Sequence, residues 1–228
     1  MKHHHRFLLN EKRTIHGIFI NYISPLFNKE PLKWGAKLLE WYDLAFTQGT
    51  LFHDGKISNT TFINVAILGS RMGQFDWAKQ FIEEKQAFLN PQYKNAYVDL
   101  ANAFLNFYQK DFDQSERHIQ NLNGSKIPHK MQARSLSLRN HYEFLIQDST
   151  YYETFLNQVE AFEKYVRRNS FWSEKKLNKY LEFVSLIRKL AKIGDLNLLT
   201  QHERKHLKTD IQTRDVLVKE WFLSKVNT

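Results

Sequence analysis

The chain has 228 residues, of which 42% are hydrophobic and 14% aromatic, a composition typical of folded proteins and not of disordered ones. It contains no cysteine, so disulfides and thiolate metal sites are excluded. No apolar run approaches the roughly 20 residues of a membrane-spanning helix. We therefore expect a cytoplasmic protein that has no membrane partner.

The net charge of +9 is concentrated at one end of the chain. Residues 1–163 carry 18 basic and 17 acidic side chains, whereas residues 164–228 carry 15 basic and 7 acidic ones, a net charge of +8. Such a segment can face nucleic acid or an acidic partner. Many segments of this kind are instead the solvated faces of amphipathic helices.

Apolar residues recur at helical spacing from the start of the chain. They predict a first helix over residues 12–28 and a second one that begins at Pro31 and ends near Gly49. Residues 49–58 form the clearest loop. Residues 61–68 are rich enough in β-branched side chains to form a strand, but the helical pattern that follows favours a helix. Ser58 or Asn59 is suited to cap this helix.

A turn-like segment then occurs twice. Residues 73–78 read GQFDWA, and 37 residues later residues 110–115 read KDFDQS, with an aromatic and an acid at matching positions. A period of this length is typical of stacked helical hairpins, in which each helix pair buries its apolar face against its neighbours. The repeat predicts one hairpin on either side of Asn90 and Pro91, where the next helix is expected to begin.

The rest of the chain continues the pattern. A third pair is expected over residues 131–146 and 152–166, followed by a long basic helix from Ser173 to Gly194 and two shorter helices. No linker rich in glycine, serine or proline interrupts these parts. We predict one all-α domain over residues 1–228: an N-terminal pair (12–58), three hairpins (59–169) and basic helices (170–228) that cap the array.

The first hairpin resembles the tetratricopeptide repeat. Phe62, Val65 and Ala66 occupy the positions of its large, medium and small residues, Gly73 that of its turn glycine, and Pro91 that of its terminal proline. The second hairpin departs from this pattern with Lys110 for the glycine and Ser115 for an alanine, and the period of 37 exceeds the usual value of about 34.

Most of the chain resembles an uncharacterised bacterial family of helical-repeat proteins. The similar segments are residues 75–84 (FDWAKQFIEE), 95–97 (NAY), 106–112 (NFYQKDF), 165–169 (YVRRN) and 219–221 (KEW). The resemblance implies a superhelix of stacked antiparallel helix pairs, an intracellular binding role, and a chain that is the C-terminal part of a longer one.

One catalytic pattern occurs. His202, Glu203 and His206 match H-E-x-x-H, in which two imidazoles one helical turn apart hold zinc and the glutamate activates a water molecule. Arg204 and Lys205 lie between the histidines, and two cations beside a metal ion oppose its binding. A zinc hydrolase is therefore a remote alternative to a polar helix surface. The N-terminal run His3–His5 is likewise not expected to be a metal site.

Candidate binding residues lie on the first helices of the predicted hairpins, the face that lines the groove of such a superhelix. Asparagine there can both donate to and accept from the backbone of an extended peptide, and arginine can grip a carboxylate or phosphate with two bonds. For each residue taken singly, an ordinary surface position is an equally good or better interpretation. The candidates are Asn64, Arg71, Asn102, Asn106, Arg134 and Arg139.

These patterns favour a non-enzymatic module that binds a peptide or a partner helix and needs no cofactor. No glycine-rich phosphate loop or G-x-S-x-G nucleophile elbow is present. The alternative is nucleic-acid binding through the basic C-terminal helices. The residues that would carry it are Lys175, Lys176, Lys179, Arg188, Lys189 and Lys192.

Overall fold

The computed structural model describes residues 7–124, 127–169, 172–194 and 196–227. Within these ranges the chain forms eleven α-helices and one pair of two-residue antiparallel strands. The helices are α1 (Leu9–Lys29), α2 (Pro31–Thr47), α3 (Asn59–Arg71), α4 (Phe75–Lys85), α5 (Lys94–Tyr108), α6 (Phe112–Gln120), α7 (Lys130–Gln147), α8 (Tyr152–Arg167), α9 (Glu174–Ile193), α10 (Gln201–Thr213) and α11 (Lys219–Val226), and the strands are β1 (Phe52–His53) and β2 (Lys56–Ile57).

Consecutive helices pack as pairs, so the predicted all-α helical-repeat fold is confirmed. The packed pairs are α1 with α2, α3 with α4, α5 with α6, α8 with α9, and α10 with α11. Helix α3 also packs against α5. In the described part of the chain, every helix is too short or too polar to cross a lipid bilayer.

The predicted cap of α3 and the predicted bounds of α9 are confirmed. Ser58 caps α3 by accepting a hydrogen bond from the backbone amide of Thr61, and Ser173 caps α9 by accepting one from that of Lys176. Gly194 ends α9 with a φ of +70°.

The predicted start of α5 at Pro91 was wrong, because the helix begins three residues later. The Asn90 side chain accepts a hydrogen bond from the amide of Gln92 at 3.0 Å, and its carbonyl accepts one from the amide of Tyr93. These two bonds hold residues 91–93 in a turn that competes with the helix.

Contacts between residues divide the chain into two compact units, Met1–Ala133 and Arg134–Thr228, where we had predicted one continuous domain. The division falls inside α7, in keeping with the absence of a flexible linker from the sequence.

The core of the first unit is centred on α3. From Phe62 to Arg71 every residue of this helix is buried except Asn64, Ile67 and Arg71. Phe62 is fully buried and lies against Phe81 of α4, with ring centroids 5.6 Å apart.

In the same unit, α1 holds the loop that follows α2. The Thr50 hydroxyl donates to the Ala45 carbonyl, so its oxygen accepts a hydrogen bond from Nδ1 of buried His16 at 2.7 Å. Arg13 donates to the carbonyls of Thr50 and Phe52. These bonds satisfy polar groups that packing removes from water.

The second unit closes around three aromatic rings, those of Phe162, Phe183 and Phe222, which are almost completely buried. Glu143 of α7 is only 7% exposed and accepts hydrogen bonds from Trp221 Nε1 at 3.1 Å and Lys225 Nζ at 2.6 Å. These contacts compensate for the burial of the carboxylate and fix α11 on α7.

Candidate functional site

The three predicted asparagines do not occupy equivalent positions of the repeat. Asn64 is exposed on α3, whereas Asn102 and Asn106 are half-buried, about one turn apart, on α5. With a period of 37 residues, the counterpart of Asn64 is Ala101 and that of Asn102 is Val65, both completely buried. The helix face that is exposed at Asn64 of α3 is therefore buried at the equivalent position of α5, and the face that carries Asn102 on α5 is buried at the equivalent position of α3.

The amides of these asparagines are nevertheless available. Within the described residues, the side chains of Asn64, Asn102 and Asn106 make no hydrogen bond to the protein. Asn102 and Asn106 therefore present two amides, one turn apart on α5, that can each donate and accept hydrogen bonds.

Arg71 is already engaged by α1. Its guanidinium carbon lies 4.4 Å from the ring centroid of Phe27, and its Nη1 is 3.5 Å from Oδ1 of Asn28. This cation–π contact fixes the side chain at the end of α3.

Arg134 and Arg139 belong to the second unit, on α7. Arg134 is exposed and lies over the ring of Tyr165, with its guanidinium carbon 4.0 Å from the ring centroid. Arg139 is only 1% exposed. The prediction that its guanidinium extends a surface groove is therefore not met in this structure, because packing encloses the side chain.

One concave surface of the second unit lies between α8 and α9. It is an open groove of about 530 Å³. Its lining residues are Glu163, Arg167, Leu181, Val184, Ser185, Arg188, Lys189, Lys192 and Ile193. Four cations and one carboxylate thus surround a strip of aliphatic side chains, and we call this surface the basic groove.

Glu163 fixes two of the cations. Its Oε1 accepts hydrogen bonds from Arg167 at 2.9 Å and 2.6 Å, and its Oε2 accepts one from Arg188 at 2.5 Å. The hydrogen bond from Arg167 is the largest factor that lowers the pKa of Glu163, with that from Arg188 adding to it. The carboxylate is ionised at neutral pH and holds both guanidinium groups at the groove.

The two lysines differ in their surroundings. Lys189 donates to Asp210 of α10 at 2.7 Å, and Arg214 shares the same carboxylate. Lys192 is exposed and makes no ion pair within the described ranges. Its ammonium group is the cation of the groove that is most available to a ligand.

Sequence reasoning found only part of this groove. Arg188, Lys189 and Lys192 were named because they belong to a basic helix, but Glu163 and Arg167 were not. The missed signal was local, since a glutamate four residues before an arginine forms a pair on one helix face. The contact of Glu163 and Arg167 with α9, in contrast, depends on the tertiary packing of α8 against α9.

The H-E-x-x-H segment lies in α10, and its glutamate has another role. Glu203 accepts hydrogen bonds from the backbone amide and hydroxyl of Thr200 at 2.9 Å and 2.7 Å, which together lower its pKa. Thr200 in turn accepts one from the Glu203 amide, which completes a capping box. Glu203 thus stabilises the start of α10 and is not directed at the two histidines.

No cluster of three or more histidine, aspartate or glutamate side chains that could hold a metal ion occurs in the described part of the chain. A catalytic zinc site needs three protein ligands and a free position for water. The run His3–His5 lies outside the described residues.

Comparison of the chain with protein-family models, with curated proteins and with solved structures gave no match.

Proposed function

We propose that this protein is a non-enzymatic interaction module whose basic groove binds an acidic, amphipathic segment of a partner protein. The observation that carries the proposal is the arrangement of four cations around an aliphatic strip between α8 and α9.

The spacing of the cations suits a partner helix. Arg188 and Lys192 are four residues apart on α9, so they lie on the same face about 5–6 Å apart at their Cβ atoms. Acidic side chains one turn apart on a partner helix have the matching separation. Because Glu163 already orders Arg188, less side-chain entropy is lost when a ligand binds.

Charge alone is insufficient for stable binding. An exposed ion pair contributes about 0–1 kcal/mol, so a few such pairs give only weak and salt-sensitive association. Leu181 and Ile193 are half-buried at the groove and can be covered further by apolar side chains of a partner. Apolar burial contributes roughly 25 cal/mol per Å², which favours an amphipathic ligand over a purely acidic one.

The test uses fluorescence anisotropy with two labelled peptides of equal length, one with a Glu/Leu helical pattern and one with Lys/Leu in its place. We expect the acidic peptide to bind more tightly. Lys192→Glu should weaken that binding by about tenfold, since it removes an attraction and adds a repulsion. The matched control is Lys208→Glu, which makes the same charge change at an exposed position of α10 outside the groove.

A loss of less than about twofold is expected for the control. Equal losses in the two variants would show only general charge attraction and would contradict a groove. Failure of the acidic peptide to bind at low salt would also overturn the proposal. Leu181→Ala adds a second test, because it trims the aliphatic strip and leaves the charge unchanged.

Nucleic-acid binding by the basic helices is the second candidate. It is favoured by Lys175 and Lys176, which are exposed on α9 and make no ion pair within the described residues. It is weakened by Lys179, which already pairs with Asp215 at 2.9 Å. The pairs of Arg188 with Glu163 and of Lys189 with Asp210 reduce the charge that is available to either candidate ligand. The structure therefore leaves fewer free cations for phosphates than the sequence suggested.

A salt titration separates the two candidates. If phosphates are the ligand, the logarithm of the affinity for a DNA or RNA duplex should fall linearly with the logarithm of salt concentration. The double variant Lys175→Glu, Lys176→Glu should then reduce the slope by about 2. A salt-insensitive affinity, or an unchanged slope, would count against nucleic acid as the ligand.

A further inference from the structure

We propose that His202 and His206 form a two-histidine site for a divalent transition-metal ion on the exposed face of α10. Both side chains are exposed, and their Nε2 atoms lie 3.0 Å apart. The ring centroids are 4.4 Å apart. The two nitrogens form a hydrogen bond with each other, so both lie within reach of a single metal ion that would replace the shared proton.

The separation of the nitrogens fits chelation. With metal–nitrogen bonds of about 2.0–2.1 Å, two nitrogens 3.0 Å apart subtend an angle of about 91–97° at the metal. This is the angle between neighbouring ligands in square-planar and octahedral complexes, the geometries of Cu²⁺ and Ni²⁺. The site therefore favours these ions over tetrahedral Zn²⁺, and water fills the remaining positions.

The neighbouring charges permit a cation at this point. Arg204, which separates the histidines in sequence, donates to the carbonyls of Leu196 and Val226 at 2.9 Å and 3.2 Å and is held away from the imidazoles. Lys205 is exposed on a long, flexible side chain, so solvent screens its charge. From the sequence alone both Arg204 and Lys205 oppose a metal ion, whereas in the structure Arg204 is bound to backbone carbonyls and only Lys205 remains unpaired with them.

The site is distinct from the zinc hydrolase weighed in the sequence analysis. The Glu203 carboxylate is engaged by Thr200, so the site holds a metal without a general base beside it. It is a site for metal-dependent binding or stabilisation of α10, and it has no part in the basic groove.

The experiment is isothermal titration calorimetry of the full chain with Ni²⁺ alone and with Cu²⁺ alone. The parent protein for this experiment carries His3→Ser, His4→Ser and His5→Ser, so that the measured heat contains no contribution from the N-terminal histidines. Far-UV circular dichroism of every variant checks that α10 and its neighbours are folded.

We expect one metal ion per chain. His202→Gln and His206→Gln should each weaken binding by about a hundredfold, since the second imidazole acts at a high effective concentration. The matched control is His53→Gln at another exposed histidine, which should change the affinity by less than about twofold. Lys205→Glu should tighten binding severalfold, because it replaces a nearby positive charge with a negative one.

Retention of the parent affinity in either His202→Gln or His206→Gln would overturn the proposal, as would no binding of Cu²⁺ at millimolar concentration. Sedimentation velocity with and without metal adds an independent readout. A metal-dependent dimer that both variants abolish would support the site, with a histidine pair from a second copy of the chain in place of the water ligands.

Discussion

The hairpins α3–α4 and α5–α6 have the same turn and different interiors. Each turn has the same three backbone hydrogen bonds, shifted by 37 residues. In the first turn the amide of Met72 donates to the carbonyl of Leu68, that of Gly73 to Ser70, and that of Gln74 to Gly69. In the second turn the amide of Gln109 donates to the carbonyl of Leu105, that of Lys110 to Phe107, and that of Asp111 to Asn106. The corresponding distances agree within 0.1 Å. Both turns are Schellman motifs, in which the residue after the helix adopts a left-handed conformation.

The interiors differ at the pair that joins the two helices of each hairpin. Phe62 and Phe81 form this pair in the first hairpin, and Asp99 and His118 occupy the equivalent positions in the second. Oδ1 of Asp99 lies 2.8 Å from Nδ1 of His118 and also accepts a hydrogen bond from Asn121. An aromatic contact in the first hairpin thus corresponds to a hydrogen bond in the second, although the turns of the two hairpins have the same backbone geometry.

A second pair of equivalent residues, at a contact between the two helices of each hairpin, also changes from apolar to polar. Ala78 is buried in the first hairpin, and its counterpart Ser115 is equally buried in the second, where its hydroxyl donates to the carbonyl of Ala103 at 2.8 Å. The comparison shows that the turn geometry and the small residue fix the hairpin, whereas the remaining contacts can be apolar or polar.

The largest difference in stability between the two hairpins is expected when one member of the Phe62–Phe81 pair or of the Asp99–His118 pair is removed. Phe62→Ala is expected to lower the free energy of unfolding by about 3–5 kcal/mol, since it leaves a cavity at a fully buried site. Asp99→Ala should cost only about 0.5–1.5 kcal/mol, because its partners are partly exposed and can bond to water. Urea denaturation of both variants measures the difference, and equal losses would contradict the comparison.

The next largest effect concerns the close approach of α3 and α4. A Cβ atom on Gly69 would lie 2.8 Å from Cε3 of Trp77 and 3.2 Å from Cβ of Ala78. Gly69→Ala should therefore destabilise the protein by about 1–3 kcal/mol through overpacking, even though alanine favours a helix. The control is Gly17→Ala in α1, where nothing lies within 4 Å of the added atom.

Thermal unfolding followed by circular dichroism measures both glycine variants. The control should gain up to about 1 kcal/mol from helix propensity. If Gly69→Ala were as stable as Gly17→Ala, the helices would not be in the close contact described here. The second hairpin carries Asn106 at the position of Gly69, half-buried, so its helices leave room for a side chain.

Exchange of the turn residues tests the shared backbone geometry. Gly73 has a φ of +71° and Lys110 a φ of +66°, which is unfavourable for a lysine. Gly73→Lys should therefore cost about 1 kcal/mol, and Lys110→Gly should add about 0.5–1 kcal/mol. Changes in denaturation midpoint of opposite sign are expected. Changes of the same sign would show that the two turns differ.

The smallest expected effect is a pH dependence near the start of the second hairpin. Burial lowers the pKa of His129 below its ordinary value of 6.5, and Nδ1 of this histidine lies 2.7 Å from the Tyr97 hydroxyl on α5. The folded state therefore binds a proton less readily than the unfolded state. The stability from neutral His129 is present above about pH 6.5 and is lost as the pH falls toward the lowered pKa.

Hydrogen exchange at pH 7 and pH 5, corrected for intrinsic rates, can detect this effect. Amides at the start of α5 should lose protection at the lower pH, and those of α3 should change less, since Phe62 and its apolar neighbours do not titrate. In His129→Gln the additional loss in α5 should disappear. An identical response of α3 and α5 would assign the pH effect to another group.

The functional surfaces were less predictable than the helices. The sequence placed Lys192 among six basic residues expected to carry nucleic-acid binding, and the structure leaves it exposed in the lining of the basic groove. It also treated Arg139 as a surface residue, although this side chain is 1% exposed. A charged residue at one position of a helix gives no local sign of which neighbour covers it, and an arginine is enclosed only when several elements pack around it.

What the sequence determined by itself is the set of helices, the cap of α3 and the two repeated turns. These features depend on apolar periodicity, on a capping oxygen such as that of Ser58, and on residues within about five positions of one another. What only the tertiary structure decided is which helix faces are covered. Asn64 is open where Ala101 is buried, and Glu163 joins Arg167 to Arg188 across two helices, because each contact depends on residues distant in the chain.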